Sequence, residues 1–157
     1  MIKLRKIMAS NVPRLRKDAK VEEAAKLLVA TQSGCVVIVE NKSPIGILTE
    51  LDLVRNFGSS KKTLKGPVSK IMSSPVTSMP PDMNLDNAIR IIDTKGFKKY
   101  PVVENGELAG LVSKKDVVHA MSDNLRMHRN IQNVVLLAFV LFEIFVLIFY
   151  RFIPLGA

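Results

Sequence analysis

Two short stretches of this 157-residue chain place a carboxylate three residues after a hydroxyl: Thr49-Glu-Leu-Asp52 and Ser113-Lys-Lys-Asp116. Gly46-Ile-Leu precedes the first and Gly110-Leu-Val the second, so each reads as a buried strand handing over to a helix. A hydroxyl at a helix start stands beside free backbone N–H groups, which bind phosphate oxygens readily. A carboxylate three residues later can accept two hydrogen bonds at once, a match to the two hydroxyls of a ribose. Together they would grip a sugar and its phosphate. The same spacing is also that of a capping box, in which the hydroxyl serves the N3 amide and the acid reaches back to the cap. That role is open to any helix and is worth about 1 kcal/mol. Duplication does not separate the two roles, and one residue pair can serve both.

The two stretches lie 64 residues apart, and the same shift carries outward without a gap. Lys6-Ile-Met8 falls on Lys70-Ile-Met72, Asp18 on Asp82, and Val39-Glu-Asn41 on Val103-Glu-Asn105. The chain is therefore one unit written twice. Each copy opens with a short segment and a strand-like stretch near Val12 or Val76. A helix follows, with Val21, Ala24, Ala25 and Leu28, or Leu85, Ala88, Ile89 and Ile92, on one face. Asn84 is a good N-cap for the second helix, Lys20 a poor one for the first, and Gly96 a plausible stop. Two extended runs come next, Lys99–Glu104 and Leu108–Val112 around Asn105-Gly106, a strong hairpin signal. In the first copy they are Cys35–Glu40 and Ile45–Leu48, joined through Asn41-Lys-Ser-Pro44. A last helix starts near Thr49 or Ser113. The expected fold is α/β of the α+β type: two pseudo-symmetric β-α-β-β-α repeats, residues 1–58 and 68–125, with a polar linker at 59–67. A 64-residue unit is marginal alone, so the copies are expected to pack as one module.

The repeat, its G-x-x-[ST]-x-x-D ending and Tyr100-Pro-Val-Val-Glu104 resemble the cystathionine-β-synthase-type (CBS) domain, over about residues 5–122. That domain occurs in tandem pairs, the Bateman modules. The resemblance implies a regulatory module whose sheets face each other across a pseudo-two-fold axis. It also implies clefts for adenosine-containing ligands such as AMP, ADP, ATP or S-adenosylmethionine, and dimerisation. By that resemblance the base would lie near Thr77, Tyr100 and Pro101 in the second repeat. Lys98 and Lys99 would supply phosphate charge, with Ser113 and Asp116 as the sugar-phosphate grip. The first repeat offers Val37, Thr49 and Asp52. It has Pro13 in place of Thr77, Val37 in place of Pro101, and Gly34-Cys35 in place of the lysine pair. The second repeat is the better expected site.

Composition narrows the field further. The net charge is +9, but the basic residues are scattered, with two tyrosines and no tryptophan. Nucleic-acid binding calls for a concentrated stripe or stacking aromatics and is disfavoured. A single cysteine, Cys35, excludes an intrachain disulfide and reads as core. His119 and His128 stand nine residues apart with no cysteine near, a poor zinc set. No nucleophilic triad, phosphate loop or metal-ligand spacing is present, so an enzyme is the least supported class and no cofactor is required. Lys3, Arg5 and Lys6 have no apolar run behind them, so no secretory signal is expected.

Residues 131–150 are nearly all apolar, and twenty residues of helix span about 30 Å, the thickness of bilayer hydrocarbon. Between Val134 and Phe149 every residue but Ala138 and Glu143 is Val, Leu, Ile or Phe. Fourteen such residues contribute about −4 to −8 kcal/mol to insertion, against about +3 for the acid. The expectation is a single-pass tail anchor, the alternative a helix buried in an oligomer. Arg126 and Arg129 before the span, against Arg151 after it, put the soluble part on the cytoplasmic side. Glu143 is the expected contact to a partner helix, in a second copy or another membrane protein. Ser122-Asp-Asn124 is a place where the preceding helix can break. The functional expectation is a membrane-anchored sensor of an adenosyl ligand. The rival is a ligand-free interaction scaffold.

Overall fold

Helices α1 (Val21–Thr31) and α3 (Leu85–Lys95) form where the apolar spacing places them, burying Val21, Ala24 and Leu28, and Leu85, Ala88 and Ile92. Burying one such aliphatic side chain contributes about 1.5–3 kcal/mol. The computed structural model describes residues 2–58 and 65–152. Residues 59–64 of the linker lie outside it, as do the side chains of His128 and Arg151. Asn84 Oδ1 caps α3 by accepting the Asn87 N–H at 2.8 Å. Lys20 makes no side-chain cap; instead Glu23 accepts the Lys20 N–H at 3.2 Å. Gly96 ends α3 at φ 69° as expected, and Gln32 ends α1 in the same left-handed conformation.

The first sheet runs β1 (Arg14–Arg16), β2 (Cys35–Glu40), β3 (Ser43–Thr49); the second pairs β4 (Lys99–Glu104) with β5 (Glu107–Ser113). Both hairpins turn on two residues with positive φ, Asn41-Lys42 and Asn105-Gly106. The first turn is thus shorter than Asn41–Pro44, and Ser43 and Pro44 belong to β3. Pro44 sits opposite Val39 at a register shift on an outer strand, where its missing N–H is tolerated. The strand expected near Val12 lies slightly later, at Arg14–Arg16, parallel to β2. Its counterpart is cut to one bridge, Met79 to Val102. Pro80 and Pro81 follow at once and lack the donors that a longer ladder needs.

Each repeat gives its opening segment to the other. Leu4 N–H donates to Met83 O at 2.9 Å, and Ala9 and Leu111 exchange two bonds of 2.9 Å. The second copy does the same in reverse: Val68 N–H to Ala19 O at 2.8 Å, and Ser73 with Ile47 at 2.8 and 3.0 Å. Val68 therefore belongs to the core of the first repeat, with Ile71 and Met72 packed on it beside Val36, Ile38 and Leu48. A joint layer of Cys35, Val37, Ile47 and Leu111, flanked by Val12 and Val76, joins the two sheets.

These elements form one body, which ends at Val118; residues from His119 onward form a second. Helix α2 (Glu50–Gly58) follows β3, and its counterpart α4 (Lys114–Phe152) continues through Ser122–Asn124 without a break. Within it Arg129–Phe149 is long and apolar enough to cross a membrane, at mean hydropathy 2.5 and with none of it buried.

Candidate functional site

The hydroxyl–carboxylate pairs form complete capping boxes. Asp52 Oδ2 accepts from Thr49 Oγ1 at 2.7 Å and from Thr49 N–H at 2.8 Å, and Asp52 N–H donates to Thr49 Oγ1 at 3.3 Å. At Ser113 and Asp116 the matching distances are 2.6, 2.8 and 3.2 Å. Both turns fold this way because each helix start leaves amides that these oxygens satisfy. Asp52 and Asp116 use Oδ2 alone in these bonds, which leaves Oδ1 of each as an acceptor for an incoming hydroxyl.

The glycine of each motif has a packing reason. A Cβ on Gly46 would lie 2.4 Å from Met72 Sδ, and one on Gly110 would lie 2.8 Å from Met8 Sδ and 2.9 Å from Ala9 O. The exchanged segments run so close that a side chain at either place forces a neighbour to move. Gly46 and Gly110 thus let the opening segment of one repeat reach the turn of the other.

A cavity of about 130 Å³ opens beside Thr49, within a cleft of about 520 Å³ counted with its mouth. Its lining is Ile47 and Thr49 of the first repeat with Ser73, Pro75, Val76, Thr77, Phe97, Lys98 and Lys99. This arrangement differs from the expected site, which placed Thr77 and the two lysines with Ser113 and Asp116 of their own repeat. Thr77, Lys98 and Lys99 line this cavity together with Thr49, and Ser73, paired with Ile47, leads residues 75–77 into it. Lys99 also stays paired with Ser113 across β4 and β5, and Lys98 O accepts the Lys114 N–H at 3.0 Å. Ser113 is only 9% exposed, and neither it nor Asp116 lines this cavity.

Tyr100 and Pro101 do not reach the cavity either. Tyr100 is fully buried, its hydroxyl donates to Ile92 O at 3.4 Å, and burial holds its pKa above the usual value. The ring of Phe97 lies 6.2 Å from it, tilted by 60°. Pro101 is buried in β4, and its carbonyl accepts from Met79 N–H at 3.0 Å. Val37, at the matching place in the first repeat, is fully buried in the joint layer. Lys99 Nζ donates across the repeats to Ser33 O at 3.3 Å. Burial pushes the Cys35 thiol up, with the charge of Lys99 opposing. Glu143 is exposed in the apolar part of α4, away from all of these in the chain.

Phe97 was not among the residues read from the sequence. It is half-exposed at the cavity edge, directly after the Gly96 stop, where the first repeat has Ser33. An apolar ring at a mouth that ends in two lysines can cover a flat base while the lysines meet anionic oxygen. The lining brings together two hydroxyls, Thr49 and Thr77, an aromatic ring and two cations, and Asp52 is bonded to the first of those hydroxyls.

The CBS domain model matches residues 4–59 and 68–123. The chain belongs to the CBS domain family. It is 34% identical over 103 residues to a protein from Methanopyrus kandleri, covering 64% of this chain but only 53% of that one. The crystal structure of a CBS-domain-containing protein from Agrobacterium tumefaciens, 30% identical, superposes with a TM-score of 0.68 over 76% of this chain and 99% of that one. CBSX2, crystallised in complex with AMP, has a TM-score of 0.69 at 21% identity, over 78% of this chain and 98% of that chain. At that identity the likeness is one of fold.

Proposed function

We propose that this CBS pair is a non-catalytic regulatory module that binds an adenosyl ligand in the cavity between its repeats. The carrying observation is the meeting of the Thr49–Asp52 turn with Thr77, Phe97, Lys98 and Lys99 around one cavity. In the bound state Asp52 takes the ribose hydroxyls, the Thr49 turn and the lysines take the anionic end, and Phe97 covers the base. The AMP complex of a protein with the same fold supports this reading. A ligand held by both repeats shifts the module toward the inter-repeat geometry that it binds best. A partner protein reads that geometry.

Helix α4 anchors the module in a membrane through Arg129–Phe149, and the arginine excess before the span keeps the module cytoplasmic. Glu143 inside that span meets a polar group on another helix, in a second copy or a distinct membrane protein. Replacing Glu143 with Leu then changes the oligomeric state or the co-purifying partners; if neither changes, that contact does not exist.

The test of the central claim is a thermal shift of the full chain in detergent micelles with AMP, ADP, ATP and S-adenosylmethionine. A ligand at a hundred times its Kd stabilises by about 2.7 kcal/mol. The expected result is a shift with at least one ligand, lost in Asp52→Ala. A specific observation supports the second reading, a ligand-free scaffold: both hydroxyl–carboxylate pairs are already closed as caps. No shift with any of the four ligands favours it.

A further inference from the structure

We propose that the apolar span of α4 pairs with the same span of a second copy, the two helices parallel and joined along Gln132, Leu136, Phe139, Glu143 and Val146. The inference rests on the membrane-anchored reading above. It goes beyond that reading by choosing the partner of Glu143 and the helix face that meets it.

Arg129–Phe149 buries nothing within the chain, so every side of it is open to lipid or to another helix. Glu143 lies about 21 Å along the helix from Arg129, deep in a span of about 30 Å. A polar group at that depth without a partner is costly, so the face that carries it is the face expected to meet another helix. Gln132 stands eleven residues before Glu143. At 3.6 residues per turn that is three turns to within about 20°, so both side chains lie on one line. Leu136, Phe139 and Val146 complete the line at steps of four, three, four and three residues. That is the seven-residue period along which two helices pack at a small left-handed crossing. Asn130 and Asn133 share the first turn of the span with Gln132 but stand off the line.

The chemistry of the line favours a second copy over a different protein. Copies inserted from the same side are parallel and at the same depth, so each residue on the line meets its own counterpart. Only a side chain that both donates and accepts can hydrogen-bond to a copy of itself. The Gln132 carboxamide does so, and two facing Glu143 carboxyls do so when one keeps its proton and donates it to the other. A different helix offering a cation to Glu143 would account for the acid alone. It gives no reason for Gln132 to stand on the same line.

Disulfide cross-linking of the full chain in membranes tests the face, in a Cys35→Ala background that leaves each introduced thiol alone. Leu136→Cys and Phe139→Cys lie on the line; Val134→Cys and Leu141→Cys lie on the opposite side at similar depth. The two on the line are expected to give about fivefold more cross-linked dimer than the two opposite. Adding Glu143→Leu to Leu136→Cys should lower the cross-linked fraction about three- to tenfold. Adding Glu143→Gln, which still donates and accepts, should keep it within about twofold. Equal cross-linking on both sides, none at any position, or a Glu143→Leu chain that cross-links as before overturns the pairing. So does a Glu143→Gln chain that loses the cross-link as Glu143→Leu does, which would mean that the acid meets a cation. Alkaline extraction of the same membranes separates the two failures. A chain retained without the cross-links overturns the pairing alone, and a chain released overturns the anchor with it.

Discussion

At Thr49 and at Ser113 the chain makes the same turn, with hydroxyl-to-carboxylate bonds of 2.7 and 2.6 Å. Their surroundings differ. The Thr49 turn borders a cavity whose far wall carries Thr77, Phe97, Lys98 and Lys99, while Ser113 is 9% exposed. What separates them is the opposite wall, which the other repeat supplies. A cap is a local property of four residues; a site needs a partner surface, and the exchange of opening segments decides which surface each turn meets. The first repeat, with its poorer complement of polar residues, owns the hydroxyl that borders the cavity.

The largest expected effect breaks the comparison outright. Asp52→Ala and Asp116→Ala each remove one cap, at a cost of about 1 kcal/mol. Denaturation should therefore show similar losses for the two. Ligand binding should divide them: the AMP-induced thermal shift disappears in Asp52→Ala and survives in Asp116→Ala. The reverse pattern would return the site to Ser113.

The two motif glycines sharpen the comparison at the level of packing. The three atoms nearest a Cβ at Gly46 all belong to the side chain of Met72, which can turn aside. At Gly110 it meets Ala9 O as well, a carbonyl held by the Leu111 N–H at 2.9 Å. Overpacking of this kind costs about 1–3 kcal/mol. Gly110→Ala is expected in that range and Gly46→Ala below it, in urea unfolding of the full chain in micelles. Equal losses would mean that the Met8-Ala9 segment yields as easily as a methionine side chain.

These contrasts mark what the sequence could and could not disclose. The 64-residue register made both repeats, the Asn84 cap, the Gly96 stop and the Asn105-Gly106 turn legible, because each follows from residues adjacent in the chain. The cavity was not, because a register equates positions without saying which of them touch. Lys98 and Lys99 were grouped with Ser113, and Lys99 is indeed its partner across β4 and β5. That Thr49 of the other repeat shares a cavity with them and with Thr77 depends on the crossing of Ser73 to Ile47. Tyr100 and Pro101 sit on β4 next to the lysines, but Tyr100 is turned into the core, toward Ile92. Alternation along a strand sends neighbours to opposite faces. Which side chains meet across the repeats was missing, and no local pattern carries it.

Cys35 separates the clefts by reactivity. It occupies the position of Lys99, and burial raises its thiol pKa, so near neutral pH it stays protonated and out of reach. A thiol-specific reagent at pH 7.5 should label the native chain far more slowly than the urea-unfolded chain. If AMP binds in the cavity beside Thr49, it should leave the native rate unchanged within twofold, since Cys35 does not line that cavity and burial outweighs the Lys99 charge on its thiol. Ligand-dependent protection of Cys35 would place a second molecule beside it.

The smallest expected effect concerns the tie of each exchanged segment at the hairpin tips. In one, Arg5 donates from both terminal nitrogens to Glu104, with Nη1 to Oε2 at 3.1 Å. In the other, Ser69 stands at the place of Arg5, and Glu40 pairs with Lys17 instead. The Arg5 hydrogen bond holds the Glu104 pKa below its ordinary value. A carboxylate lowered in the folded state contributes stability that is present above its unfolded pKa. That stability is lost as pH falls through the folded pKa, so the window lies at and below the usual glutamate range near 4.3. Both groups are solvent-exposed, so salt screens the effect and it stays small. Glu104→Gln should flatten the acid limb of melting temperature against pH slightly, at low ionic strength only. An acid limb identical to that of the unaltered chain would show that Arg5 tethers the segment by geometry rather than by charge.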